Sequence, residues 1–252
     1  VFLAVVRAEL TKARTVRSTW WSLTVAAALC VGVAALLGAQ MRANFDRMAG
    51  EPAELGFYAL LIGQIALVVF GVLLVSAEYT TGTVRTSLAA VPRRGVFLAA
   101  KALTATGVAA LAAVVAVFGS FAAAQWGLGE HGVGLGDTGV LRAVLGACAY
   151  LTLMCVFAMA VATMLRSTAL SLGILIPVLF LNSQGLSNLP AIRPVTQYLP
   201  DQVGAVLMKV GDGRETFLGP RDFGPGAALV ILLAWVAVAL AGAYVSLRRR
   251  DA

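Results

Sequence analysis

Apolar residues in this chain gather into six long runs, at about 18–40, 56–77, 98–125, 141–165, 169–189 and 225–247. A helix needs roughly 20 predominantly apolar residues to cross a hydrocarbon core about 30 Å thick, and each run reaches or approaches that length. The expected fold class is an all-α integral membrane protein, six transmembrane helices forming a single domain over 1–252. The third run is over-long, so its first turns around Lys101 are expected in the headgroup layer with the ammonium snorkelling to water. The fourth and fifth runs are separated only by Arg166, Ser167 and their neighbours, a tight turn between adjacent helices.

Three polar stretches break this pattern. Residues 1–17 read as an amphipathic helix: Phe2, Val6, Leu10 and Ala13 can share one face, while Arg7, Glu9, Lys12 and Arg14 lie mainly off it. Such a helix lies on the inner membrane surface instead of spanning it. A cleaved signal peptide is not expected, because the apolar run that follows is longer than a signal core of about 7–15 residues. The second stretch, 78–95, is the most polar insert between two long apolar runs. In it Val84, Leu88 and Val91 recur at i, i+4 and i+7, the stripe of a short helix that Thr80 or Thr81 can cap and Pro92 ends. Arg85, Arg93, Arg94 and Lys101 form a basic edge beside it, suited to anionic lipid headgroups or an acidic protein surface, or simply a solvated positive loop. The third stretch, 190–224, is interrupted by Pro190, Pro194, Pro200 and Pro220. Asp201 can cap a helix there in which Val203, Val206, Leu207 and Val210 form an apolar stripe, suggesting a short helix dipping into the outer leaflet.

Composition agrees with the pattern and removes other classes. At 60% hydrophobic, only 12% charged and a mean hydropathy of +0.89, the chain is far from the roughly 25% charged content of a soluble domain. The net charge of +7 does not indicate nucleic acid, since the basic residues stand mostly at the ends of apolar runs. With both termini inside, twelve Lys and Arg fall on the inner side and seven on the outer, which sets the orientation. Trp20, Trp21, Trp126, Tyr79 and Tyr244 fall near the expected interfaces, whereas Trp235 and Tyr150 are mid-span and are expected to pack between helices. Cys30, Cys148 and Cys155 lie within apolar runs as small core residues, and the single histidine, His131, stands in a glycine-rich loop with no companion ligand set.

Several chemistries are missing from the sequence. It contains no Gly-x4-Gly-Lys-Ser/Thr phosphate loop, so any ATP-driven work requires hydrolysis on another polypeptide. The middles of the six runs carry no acidic, basic or histidine residue, which disfavours an ion relay and an intramembrane enzyme. The polar residues Asn182, Gln184, Ser187 and Asn188, around Gly185, can line a translocation path, or can tie neighbouring helices together through their amides. Gly127-Leu-Gly129-Glu-His-Gly132 matches the dinucleotide fingerprint only in letters, since it follows a membrane helix and lacks a βαβ context. Gly32 and Gly38, with Ala34 and Ala35 between them, suit close helix contact.

The spacing Glu78-x3-Gly82-Thr83-x-Arg85-x2-Leu88-x3-Pro92-x-Arg94-x6-Lys101 resembles the segment between the second and third spans of ABC-2-type permeases, the membrane subunits of one class of bacterial ABC exporters. The opening Glu9-Leu-Thr-Lys12-Ala-Arg14-Thr-Val-Arg17-Ser18-Thr-Trp20-Trp21 and the later Tyr198-Leu199-Pro200 are similar to the same family. The resemblance implies a multi-pass subunit of the bacterial cell membrane, with both termini cytoplasmic and a re-entrant helix between spans five and six. It implies a second permease protomer, identical or related, and two copies of a separate ATP-binding subunit. That partner carries the Mg-ATP; this chain carries no cofactor. The insert becomes a coupling helix, with Glu78, Gly82, Thr83, Val84, Arg85 and Leu88 as the ATPase contact: Glu78 and Arg85 its polar part, Val84 and Leu88 its apolar anchor. Family cargo ranges over antibiotics, modified peptides, lipids, glycans and ions; uncharged spans lean toward a hydrophobic or amphipathic substrate. A membrane scaffold or channel-like subunit that exports nothing is the alternative of a different class.

Overall fold

The computed structural model describes residues 2–15, 17–45, 51–183, 192–211, 215–216 and 219–250. Among the described residues the regular structure is helical apart from one pair of two-residue strands, Glu215–Thr216 with Gly219–Pro220. In chain order the helices are α1 (Phe2–Thr15), α2 (Arg17–Arg42), α3 (Leu55–Tyr58), α4 (Leu60–Thr81), α5 (Thr83–Ala90), α6 (Arg94–Leu128), α7 (Val140–Leu165), α8 (Thr168–Ser183), α9 (Arg193–Thr196), α10 (Pro200–Leu207) and α11 (Pro225–Arg250). Among the described residues five helices are long and apolar enough to cross a membrane. The expected fifth run, 169–189, differs: it is helical over the 16 residues Thr168–Ser183, about 24 Å at 1.5 Å per residue, and its remainder lies outside the described residues.

The bundle is organised around α7, which packs against α4, α6, α8, α10 and α11. Its inward residues Ala147, Leu151, Met154, Cys155, Ala158 and Ala162 are fully buried. In lipid no hydrophobic force draws apolar helices together, so close approach of backbones at small residues supplies the packing instead. A Cβ on Gly71 of α4 would overlap the Cys155 carbonyl of α7, and one on Gly38 of α2 would overlap the Ala124 carbonyl of α6. The expected small-residue contact on α2 therefore uses Gly38 and the fully buried Ala34, whereas Gly32 has open space around it. The opposite faces carry exposed Leu29 and Leu36 on α2, Leu111 and Val115 on α6, and Val230 and Val238 on α11, as lipid-facing surfaces do.

The turn between α7 and α8 is as tight as the sequence suggests. Arg166 takes the left-handed conformation, φ 57°, its side chain donating to the Ser246 carbonyl of α11 and lying over the Tyr79 ring. On the same end of the bundle, Arg94 Nη1 donates to the Leu247 and Arg248 carbonyls, satisfying the C-terminal turn of α11.

The segment α9–α10 does not stay at the rim. All eight residues of α10 are buried, a Cβ on Gly204 would overlap the Tyr150 ring, and Gly146 receives the Leu207 carbonyl. Tyr150 is ten residues into α7, about 15 Å along its axis, so α10 descends to the middle of that helix. Trp235, ten residues into α11, donates its indole N–H to the Tyr198 carbonyl at 2.8 Å. Both mid-span aromatics pack between elements, Tyr150 at 2% exposure. Two expectations for α10 are corrected. Its cap is Leu199 with Pro200 at the first turn, Asp201 lying inside the helix and buried, and Val210 falls beyond its end.

Candidate functional site

The segment singled out by its polarity forms a helix of its own. Gly82 ends α4 and begins α5 with φ 73°, a left-handed angle that costs glycine nothing and that side chains resist. Thr80 and Thr81 do not cap α5: their hydroxyls donate back to the Ser76 and Ala77 carbonyls of α4, and Thr81 Oγ1 pairs with Thr83 Oγ1 at 2.9 Å. Two of the three expected stripe residues, Val84 and Leu88, lie on α5, and Val91 falls one residue past its end. Val84 is buried, Leu88 and Val91 are half-buried against the packed ends of α4 and α6, and Arg85 is exposed. Pro92 lies in the three-residue break before α6.

Glu78, near the C-terminal end of α4, faces into the bundle. It is 9% exposed and belongs to a four-charge cluster directly beneath α5. Lys101 Nζ donates to Glu9 Oε2 at 2.7 Å and to Glu78 Oε1 at 2.8 Å. Lys12 Nζ donates to Glu9 Oε1 at 2.7 Å and shares Glu78 Oε1 at 2.8 Å. Two carboxylates and two ammonium groups thus neutralise one another where α1, α4 and α6 meet, and Lys101 also lies 5.2 Å from the centre of the Phe97 ring. Lys12 reaches on to Ser87 Oγ of α5 at 3.5 Å.

This overturns two sequence expectations. Lys101 does not snorkel; it is 1% exposed, because two carboxylates inside the bundle offer it better solvation than the headgroup layer. Glu9 does not lie off the packed face of α1. With Val5, Val6 and Ala13 it makes that face, while Phe2 is exposed. An acid four residues from Val5 and four from Ala13, on an apolar stripe, was the signal that could have shown it. Burial pushes the Glu9 carboxyl up, but the charges and hydrogen bonds of Lys101 and Lys12 outweigh it and hold the group below its ordinary 4.5. For Lys12, burial pulls the ammonium down and the bonds to Glu78 and Glu9 more than compensate, raising it above 10.5.

A second polar assembly lies at the α9–α10 end. Arg221, 3% exposed, donates to Gln202 Oε1, and Gln202 Nε2 donates to Asp201 Oδ2 at 2.8 Å. Gln197 Nε2 donates to Asp222 Oδ2 at 2.8 Å, and Arg193 pairs with the same carboxylate at 3.2 Å. Burial, then repulsion from Arg193, pulls the Arg221 guanidinium below its ordinary 12.5. Nearby, Glu54 accepts from Lys209 Nζ at 3.0 Å and from the Val210 N–H at 3.1 Å. Of the four path candidates, Asn182 lies in the last turn of α8, while Gln184, Ser187 and Asn188 lie outside the described residues. The glycine-rich decoy closes α6 and turns through Gly129–His131, where His131 stacks on Phe45. No group of three His, Cys, Asp or Glu among the described residues could hold a metal ion.

Comparison with curated proteins finds no match. A family model described as ABC-2 family transporter protein matches residues 5–182, from within α1 to the last turn of α8, taking in the charge cluster and α5. Since that match covers well over half of the chain, the protein belongs to the ABC-2 family of transporter membrane proteins.

Proposed function

We propose that this permease subunit serves an ATP-driven exporter of the bacterial plasma membrane, with α5 as the helix on which a separate ATP-binding subunit docks. The supporting observation is the division of labour on α5: Val84 is buried and Leu88 half-buried against the bundle, Arg85 is exposed, and Gly82 hinges the helix to α4. Thr83 stands at its first turn. Glu78 acts one step behind the contact, through the cluster with Glu9, Lys12 and Lys101. A push on α5 passes to α4 across Gly82, to α1 through Lys12 and Ser87, and to α6 through Val91. ATP binding that draws two partner subunits together then favours one arrangement of the helices through differential contact with α5.

Two permease protomers, identical or related, complete the assembly, with Mg-ATP held by the partners and none by this chain. Both termini face the cytoplasm, and α10 is a re-entrant element at the outer side. The cargo is hydrophobic or amphipathic, and Asn182, Gln184, Ser187 and Asn188 line its path. Family membership gives no support to a non-exporting scaffold.

The test is charge reversal at the exposed position. Arg85→Glu is expected to abolish co-purification of the ATP-binding subunit while leaving membrane insertion normal. An Arg85→Glu protein that still forms the complex and still stimulates ATP hydrolysis overturns the assignment.

A further inference from the structure

A cavity of about 560 Å³ opens beside the charge cluster, within the size range of small-molecule sites. One wall is wholly apolar: Val69, Phe70, Leu73, Leu74 and Ala77, a strip of α4 about 12 Å long. At its other end stand Glu9, Lys12, Glu78, Thr81 and Thr83. Polarity therefore runs along the α4 axis, from apolar mid-helix to charged helix end, as it runs across one leaflet of a bilayer.

The charge of a matching head group follows from exposure. Of the four clustered side chains, Lys101, Glu9 and Glu78 are 2%, 3% and 11% exposed, whereas Lys12 is 47% exposed. Glu9 and Glu78 also line the cavity, but each already accepts from both lysines and is largely covered, so the group most open to a ligand is the Lys12 ammonium. Lys12 has three N–H donors; two make short bonds to the carboxylates, and the third spans 3.5 Å to Ser87 Oγ, the limit of a hydrogen bond. The cluster as a whole is neutral, so an arriving anion meets no net negative field, and the exposed Arg7, Arg14 and Arg85 on the same two helices, α1 and α5, add positive potential.

We propose that this cavity binds an anionic single-chain amphiphile, its carboxylate or phosphate taking the third N–H of Lys12 and its tail lying along Val69–Ala77. This goes beyond ATPase docking and does not depend on it, because binding belongs to this chain alone.

The experiment uses the full chain purified in a neutral maltoside detergent, titrated with dansyl-labelled undecanoate and challenged with competitors of equal tail length. Dodecanoate is expected to displace the probe, and dodecylamine to require at least a tenfold higher concentration. Lys12→Gln is expected to weaken binding about tenfold or more, as losing a hydrogen bond to a charged group does, while Lys12→Arg retains it. Leu73→Trp, at a position already 44% exposed and so tolerant of substitution, fills the cavity and should abolish binding without disturbing the charges. Displacement by dodecylamine as readily as by dodecanoate, or an unchanged affinity in Leu73→Trp, overturns the proposal. Native mass spectrometry separates the sources. An anionic lipid retained by the unaltered chain and lost from Leu73→Trp identifies a resident lipid; a lipid-free chain that binds dodecanoate, with ATP-dependent vesicle uptake of it when the partner subunit is present, identifies cargo.

Discussion

Replacing Lys101 by methionine removes the most buried charge in the cluster while keeping a side chain of similar length. Two charge-assisted bonds, 2.7 and 2.8 Å, disappear, and Glu9 and Glu78 are left with Lys12 alone. Stripping one partner from a buried ion pair costs about 3–5 kcal/mol, because the remaining charge stays desolvated. Lys12 still bonds both carboxylates and offsets part of that, so a loss of about 2–4 kcal/mol is expected. For a chain of this size that corresponds to a fall of roughly 4–16 °C in melting temperature. The protein carries its own reporter: Cys30 and Cys155 are fully buried, so a thiol-reactive dye reads unfolding directly in detergent. Adding Glu9→Gln leaves one neutral Lys12–Glu78 pair, so the double variant should regain about 1–3 kcal/mol relative to Lys101→Met. A Lys101→Met protein that melts with the unaltered chain, or losses from the two substitutions that simply add, would refute the cluster as an energetic unit.

The same cluster predicts a pH profile. The Glu9 carboxyl lies lower in the folded than in the unfolded chain, so its stabilisation is complete above 4.5 and is lost as pH falls through the folded value; Lys12, raised above 10.5, loses its share as pH rises through its own. Melting curves of Glu9→Gln should lack the acid-side loss that the unaltered chain shows. Gly204→Ala drives a methyl into the Tyr150 ring and should cost about 1–3 kcal/mol, with Tyr150→Leu recovering most of it in the double variant; equal melting temperatures for Gly204→Ala and the unaltered chain would mean that α10 does not sit against α7. Replacing Asn182 and Gln184 together by leucine should abolish transport with assembly intact, whereas unchanged transport would reject both residues from the path.

What could be read from the chain alone was what local physics decides. The length of five of the six apolar runs specifies a helix that can span, because the bilayer thickness and the rise per residue are constants. Gly82 and Pro92 punctuate α5 wherever it packs, and the i, i+4 spacing of Val84 and Leu88 places both on one face regardless of its neighbour. Family resemblance was legible for the same reason, being carried by short spacings. Lys101, by contrast, reads as a snorkelling residue until Glu9, 92 positions away, arrives beside it. Glu78 likewise gains its partners Lys12 and Lys101 only through the same meeting. Asp201 reads as a cap, and becomes part of a buried network only because Arg221 and Gln202 share its space. The depth of α10 rests on Gly204 fitting the face of Tyr150, a contact between residues whose local sequences say nothing of each other. Periodicity settles which residues share a face; which charges are neutralised and how deep a segment sinks depend on desolvation and packing among distant helices, and those terms exist only once the chain has folded.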